Sequence, residues 1–153
     1  MASGARGRHL GLDVGDRRIG VALSDETATL ASGLATLRRT GPGADVAAVA
    51  DLVARHEAKA VVVGLPLNMD GSRGPQAAKV LSFVALLRRR LSVPVLTRDE
   101  RLTTVEAEER LRAAGLRDWR QRKRLLDQAA AAVILQEHLD DHASRPLATA
   151  GRT

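Results

Sequence analysis

The stretch LGLDVGDRRIGVALSD, residues 10–25, decides the fold of this chain. Apolar residues alternate with Gly11 and Asp13 in its first part, a pattern that predicts a β-strand. A turn at 15–18 leads into a second apolar strand at 19–23, so the stretch predicts a hairpin. Aspartate is depleted in strands. Asp13 therefore either ends the strand at the turn or has a function that needs a carboxylate there, and the residues alone leave both open.

Beyond the hairpin, predicted strands and helices alternate along one continuous body. The run AVVVG at 60–64 is wholly apolar, as in a strand covered on both faces. The order of elements predicts an α/β fold, in which a mixed five-stranded sheet (an antiparallel three-stranded meander, then parallel strands) is flanked by helices. We expect a single domain over 8–142 with disordered tails at 1–7 and 143–153. The remaining elements are predicted at 34–39 and 93–97 for strands, and at 46–55, 80–91, 103–115 and 125–138 for helices.

The composition excludes several classes of protein. The 153 residues include no cysteine, which excludes disulfides, thiolate zinc sites, iron–sulfur clusters and cysteine nucleophiles. We find no apolar run of 18 residues and no signal peptide, so we expect a cytoplasmic protein with no membrane partner. A Walker A loop and a G-x-G-x-x-G motif are also absent. His138 and His142 lie near the end of a predicted helix, and we expect both to be solvated.

Positive charge is concentrated in one segment. The chain has 24 basic and 18 acidic residues, a net charge of +6, and residues 88–124 carry this whole excess with twelve basic and six acidic residues. Such a segment indicates a polyanionic partner, nucleic acid first. Phe83 and Trp119 are the only aromatic residues. Two rings are too few for a base-stacking surface, so we expect contacts mainly with backbone phosphates.

Two more acids stand where carboxylates are costly. Glu100 follows a predicted strand at its carboxyl end, where open α/β sheets place their sites; alternatively, it is a solvated loop acid paired with Arg98 or Arg101. Asp127 lies in a segment, 125–135, that is apolar at all but two positions. A buried ionised carboxylate must find a cation. The alternative for Asp127 is that it caps the amino end of this helix.

If Asp13, Glu100 and Asp127 meet at one place, their charges repel one another. Divalent cations remove that repulsion, and a purely oxygen ligand set favours Mg²⁺ or Mn²⁺. Two such ions would form the clamp used in phosphodiester cleavage. Lys123 and Arg124 come one helical turn before Asp127, and we expect them to contact phosphate there rather than to form only a solvated face.

Four segments together resemble the YqgF/RuvX family of Holliday-junction resolvases, also called pre-16S rRNA nucleases. The resemblance covers residues 9–140 and implies an RNase H-like fold similar to that of the resolvase RuvC. It also implies that Asp13, Glu100 and Asp127 are the family's catalytic, metal-binding acids. The segments are LGLDVGDRRIGVALSD at 10–25, VVVGLPLNMDGSRGPQA at 61–77, RDERLTTVEAEERL at 98–111 and LLDQAAAAVILQEHL at 125–139.

The leading hypothesis is thus a hydrolase: a Mg²⁺- or Mn²⁺-dependent nuclease. Its implied roles are processing of the 5′ end of precursor 16S rRNA in ribosome biogenesis, or cleavage of branched DNA in recombination and repair. We expect Lys123 and Arg124 to hold the scissile phosphate. We expect the protein to act as a monomer or a homodimer. Further backbone contacts are expected from Arg17, Arg18, Arg73 and Arg101.

Two other functions remain open at this point. The first is a non-catalytic nucleic-acid-binding factor in ribosome assembly that keeps the fold without turnover. The second comes from the pattern Asp13-x-Gly15, which is similar to the first phosphate motif of actin-like ATPases. Those enzymes need two such domains in one chain, whereas 153 residues hold one.

Overall fold

The computed structural model describes residues 6–100 and 119–143, together with single positions at 107, 109, 112, 113 and 115. For 119–124 and 143 it describes the helix backbone but not the side chains. The strands are β1 (His9–Val14), β2 (Arg18–Ser24), β3 (Ala31–Arg38), β4 (Ala60–Leu65) and β5 (Val95–Asp99). The helices are α1 (Pro42–His56), α2 (Pro75–Arg90) and α3 (Trp119–Ala143).

The five strands form one mixed sheet in the order β3-β2-β1-β4-β5. The first three pair antiparallel as a meander, while β4 pairs parallel with β1 and β5 pairs parallel with β4. This arrangement confirms the predicted α/β fold. It also places β1, the strand that contains Asp13, in the middle of the sheet.

The two faces of the sheet pack against different helices. One face contributes the alternate apolar residues of β1, β2 and β4 to a core with α1 and α2. The other face packs against α3, whose buried residues include Ala131, Ile134 and Leu135. Because successive side chains of a strand point to opposite faces, the odd-numbered residues of β1, Asp13 included, face α3.

Small residues on this second face let α3 approach the strands closely. A Cβ on Gly20 of β2 would overlap the backbone carbonyl of Asp127, and a Cβ on Gly64 of β4 would overlap the side chain of Ile134. Gly11 and Gly33 sit under the same helix, near Ala131 and Gln128 respectively. The glycines therefore set how near the side chains of α3 come to Asp13.

Several predicted boundaries differ from the observed ones, and two of these differences affect the acids. β5 runs from 95 to 99 rather than from 93 to 97, because Pro94 has no N–H to donate and the pairing with β4 begins at Val95. The last helix begins at Trp119 rather than 125. Arginine and lysine are good helix formers, so the basic run continues the helix instead of preceding it. The helix predicted at 103–115 lies largely outside the described residues.

The expectation for the histidines was wrong for His138. Its side chain is buried, and its ring lies 4.0 Å from that of His142 and 6.2 Å from that of His9, measured between centroids. No helix in the described part of the chain is both long enough and apolar enough to cross a membrane.

Candidate functional site

Asp13 is the penultimate residue of β1, one position before the strand ends, and its carboxyl group is hydrogen-bonded to Glu100. It pairs with Gly20 on β2. On the other side of β1, Leu12 pairs with Val63 of β4, which brings Gly64 next to Asp13. Asp13 therefore projects towards α3 between two glycines, and this leaves room above each glycine for another side chain.

Glu100 fills the room above Gly64. Its backbone N–H donates to the carbonyl of Leu65 at 3.1 Å, which fixes the chain as it leaves β5. The Glu100 carboxyl carbon lies 2.8 Å from where a Cβ of Gly64 would be, and the carboxyl group is hydrogen-bonded to Asp13. The alternative of a solvated acid paired with Arg98 was wrong: Arg98 pairs with Glu137 and Asp141.

Asp127 fills the room above Gly20. It lies well inside α3, so the helix-cap interpretation was wrong. Its side chain is 23% exposed and accepts a hydrogen bond from Arg18 Nε at 2.9 Å, which also forms an ion pair. The sequence predicted that Asp127 needs a cation. The structure identifies that cation as Arg18, on β2.

The three acids thus come together, as predicted, and burial and mutual repulsion disfavour the ionised forms of Asp13 and Glu100. Burial, followed by the charge of Asp127, raises the pKa of Asp13 to about 6, while the hydrogen bond from Glu100 acts in the opposite direction. Burial, followed by the charge of Asp13, raises the pKa of Glu100 to about 9. At neutral pH a proton therefore remains on Glu100, whose carboxyl group donates to the Asp13 carboxylate.

The carboxyl oxygens have the chemistry that a hard divalent cation prefers. Asp13 and Glu100 are held in contact only by a proton, and a cation between them would remove their repulsion. The third acid is engaged elsewhere, because Asp127 is paired with Arg18. In keeping with this, no group of three histidine, aspartate or glutamate side chains among the described residues is arranged to hold a metal ion. The chemistry of the donor set, three carboxyl groups, fits such an ion.

The predicted phosphate-binding residues lie in different settings. Arg17 and Arg18 are exposed at the start of β2, and Arg73 is exposed in the loop before α2. Lys123 and Arg124 lie on α3 one turn before Asp127, but their side chains are outside the described part of the structure. Arg101 lies outside the described residues altogether. Of the three whose side chains are described, Arg17, Arg18 and Arg73, the structure brings Arg18 into contact with the acids.

Sequence reasoning missed Arg38, which pairs directly with Arg18 across β2 and β3. Directly paired residues of antiparallel strands project from the same face, so Arg38 is exposed beside Arg18 and has no ion pair in the described part of the chain. The neighbouring Arg39 is instead structural. It donates to Asp45 at 3.0 Å and to the Gly15 carbonyl at 2.9 Å, and so anchors the β1–β2 turn. The only signal in the sequence that separates the two is strand parity.

The solved structures with a similar fold include resolvases. A Thermus thermophilus RuvC in complex with a Holliday junction substrate has a TM-score of 0.58, with 18% identity over 90% of this chain and 96% of its own. The fowlpox virus resolvase in complex with Holliday junction DNA has a TM-score of 0.56, with 12% identity over 88% and 98%. At these identities the likeness concerns the fold alone, which is RNase H-like, as the resemblance implied.

Relatives in sequence are much nearer. A protein of Caldanaerobacter subterraneus subsp. tengcongensis named "Putative pre-16S rRNA nuclease" is 48% identical over 133 residues, which cover 87% of this chain and 96% of the relative. One of Gloeobacter violaceus with the same name is 50% identical over 131 residues, 86% of this chain and 82% of the relative. The sequence profile of RuvX, described as Holliday junction resolvase, matches residues 7–141. This chain therefore belongs to the RuvX family.

Proposed function

We propose that this protein is a Mg²⁺- or Mn²⁺-dependent nuclease that hydrolyses phosphodiester bonds in structured nucleic acid. The observation that carries the proposal is the contact of Asp13 with Glu100 beneath α3, with Asp127 close enough to raise the pKa of Asp13. If the three acids from β1, the end of β5 and α3 were all ionised, they would place more negative charge in this buried centre than it can hold without a cation. A divalent cation relieves this excess.

Asp13, Glu100 and Asp127 would hold the metal. When bound, two divalent ions lower the pKa of a water and stabilise the leaving oxygen in an in-line displacement. Asp13 is fixed most firmly, because it lies on the central strand and is hydrogen-bonded to Glu100. Glu100 would have to lose its proton in order to serve as a ligand of the cation. The expected product carries a 5′-phosphate.

The substrate class follows from the surface around the acids and from the relatives. Arg17, Arg18 and Arg38 are exposed at the same end of β2 and β3. Such a surface suits backbone phosphates rather than bases. Because the relatives are named for precursor 16S rRNA and the family for Holliday junctions, we propose a precursor rRNA or a branched DNA as substrate. The cytoplasm is the proposed location.

A non-catalytic role in ribosome assembly is the alternative, and the pairing of Asp127 with Arg18 favours it. In that case the acids never complete a metal site, and the basic surface alone binds nucleic acid. The two functions differ in one respect that can be measured, namely whether products form in the presence of Mg²⁺ or Mn²⁺.

The deciding experiment compares the wild type with Asp13→Asn and Asp127→Asn on a labelled precursor-rRNA hairpin and a four-way DNA junction. Each reaction is run with Mg²⁺, with Mn²⁺ and with EDTA, and product ends are mapped. We expect metal-dependent cleavage by the wild type and none above the EDTA level by either variant, with binding largely kept. Asp51→Asn, on the exposed face of α1, is the matched control and should cleave normally.

Metal-dependent cleavage that persists in purified Asp13→Asn would reject the assignment of the site. Binding of both substrates by the wild type without any product at either metal would instead support the assembly factor.

A further inference from the structure

The pair formed by Arg18 and Asp127 is unusual in its position. Asp127 Oδ2 accepts from Arg18 Nε at 2.9 Å. Among the described residues, Arg18 is the one cation paired with any of the three acids. Arg18 comes from β2 and Asp127 from α3, so the pair crosses from the sheet to the helix that covers it. The ion pair thus involves the Asp127 carboxylate, which the proposed metal site needs as its third ligand.

In this ion pair, Arg18 can exchange Asp127 for another anion. The Arg18 side chain is 43% exposed, whereas that of Asp127 is 23% exposed. A pair so open to water is weak. Arg38 lies directly opposite Arg18 on the same face, and like charges at directly opposed positions repel. A phosphate placed between the two arginines would remove that repulsion and compete with Asp127 for the guanidinium group, whose fork suits phosphate.

We propose that Arg18 is a positioning residue that holds Asp127 away from the metal until nucleic acid binds. A backbone phosphate takes over the Arg18 guanidinium, and the freed Asp127 carboxylate completes the ligand set with Asp13 and Glu100. Metal and nucleic acid then bind cooperatively, and by linkage each raises the affinity for the other. This proposal rests on the proposed nuclease function and adds an order of assembly to it.

The test measures Mn²⁺ affinity rather than cleavage. Free Mn²⁺ is followed by electron paramagnetic resonance at constant ionic strength, with the full chain alone and with a phosphorothioate four-way DNA junction. The integrity of the junction is checked by electrophoresis after each titration. The variants are Arg18→Gln, which removes the competitor for Asp127, and Arg18→Lys, which keeps a charge but loses the fork.

Arg55→Gln is the matched control. It also removes an arginine from an exposed ion pair with an aspartate, Asp51, but this pair lies on α1, which packs on the opposite face of the sheet from α3. A general effect of lost positive charge on cation binding would appear in both glutamine variants, whereas release of Asp127 would appear in Arg18→Gln alone.

We expect Arg18→Gln to bind Mn²⁺ about two- to fivefold more tightly than the wild type without DNA, which matches the strength of an exposed ion pair. The junction should raise the Mn²⁺ affinity of the wild type and of Arg55→Gln, but much less that of Arg18→Gln. Arg18→Lys should fall between the wild type and Arg18→Gln.

Three results would overturn the proposal: an unchanged or weaker Mn²⁺ affinity in Arg18→Gln, an equal gain in Arg55→Gln, or an unchanged effect of the junction in Arg18→Gln. If the wild type still cleaves with Mn²⁺ in such a case, the holding role of Arg18 fails while the nuclease function stands. If the wild type binds no Mn²⁺ with or without DNA, both fail together.

Discussion

Glu100→Gln should make the metal-free protein more stable at neutral pH, although it removes a group that we place in the active site. The folded protein keeps a proton on Glu100 because burial and the charge of Asp13 raise its pKa from 4.5 to about 9. The unfolded chain releases that proton above pH 4.5. Glutamine is always neutral, and its amide can donate the same hydrogen bond to Asp13. The variant keeps the contact and avoids the cost of protonation.

The size of the expected stability difference follows from the pKa shift of Glu100. A raised carboxyl pKa means that the folded state binds more protons than the unfolded state between the two values, so stability falls as pH rises from 4.5 towards 9. Each pH unit in this window costs about 1.4 kcal/mol. From 4.5 to 7 the loss is on the order of 3 kcal/mol, and Glu100→Gln should recover most of it.

The assay is urea unfolding of the wild type and Glu100→Gln in EDTA at pH 4.5, 7 and 8.5. The difference in the free energy of unfolding should be small at pH 4.5 and grow with pH, and added Mg²⁺ should stabilise the wild type more than the variant. Glu26→Gln, at a residue whose side chain is 81% exposed, is the control and should change stability by less than about 0.5 kcal/mol. A Glu100→Gln protein no more stable than the wild type at pH 7, or a difference independent of pH, would refute the reasoning.

Gly20→Ala should destabilise the protein by about 1–3 kcal/mol or more because the new Cβ overlaps the backbone of Asp127, whereas Gly43→Ala, in α1 with open space around it, should stabilise it by about 0.5–1 kcal/mol. Urea unfolding of the two variants checks the opposite signs. Burial lowers the pKa of His138 to about 4. As pH falls from 6.5 to 4, His138 therefore becomes protonated in the unfolded chain but stays neutral in the folded protein. The free energy of unfolding should therefore decrease by up to about 3 kcal/mol as pH falls through that window. Urea unfolding at several pH values in which His138→Gln has the same pH profile as the wild type would contradict this. Arg38→Gln should reduce the slope of log K against log salt for a DNA junction by about one, and fluorescence anisotropy that gives an unchanged slope would exclude a phosphate contact there.

The sequence singled out two of the three acids because each breaks a strong local pattern, and singled out Glu100 by its place at the carboxyl end of a predicted strand. Asp13 interrupts a strand and Asp127 interrupts an apolar helix, and burial of a carboxylate is costly enough to need an explanation. It did not predict Arg18 as the partner of Asp127, because 109 positions separate them along the chain. That contact depends on the register of β2 in the sheet and on how closely α3 approaches it. Neither is visible in the periodicity of one segment.

The sequence by itself determined the order of strands and helices, the face of β1 that bears Asp13 and the basic character of the surface. These follow from local alternation and composition, which record burial one element at a time. Only the tertiary structure decided that Glu100 contacts Asp13, that Arg18 pairs with Asp127, and that Arg38 is exposed while Arg39 is structural. Each of these is a contact between elements distant in sequence, fixed by strand register and by the glycines that let α3 lie close to the sheet.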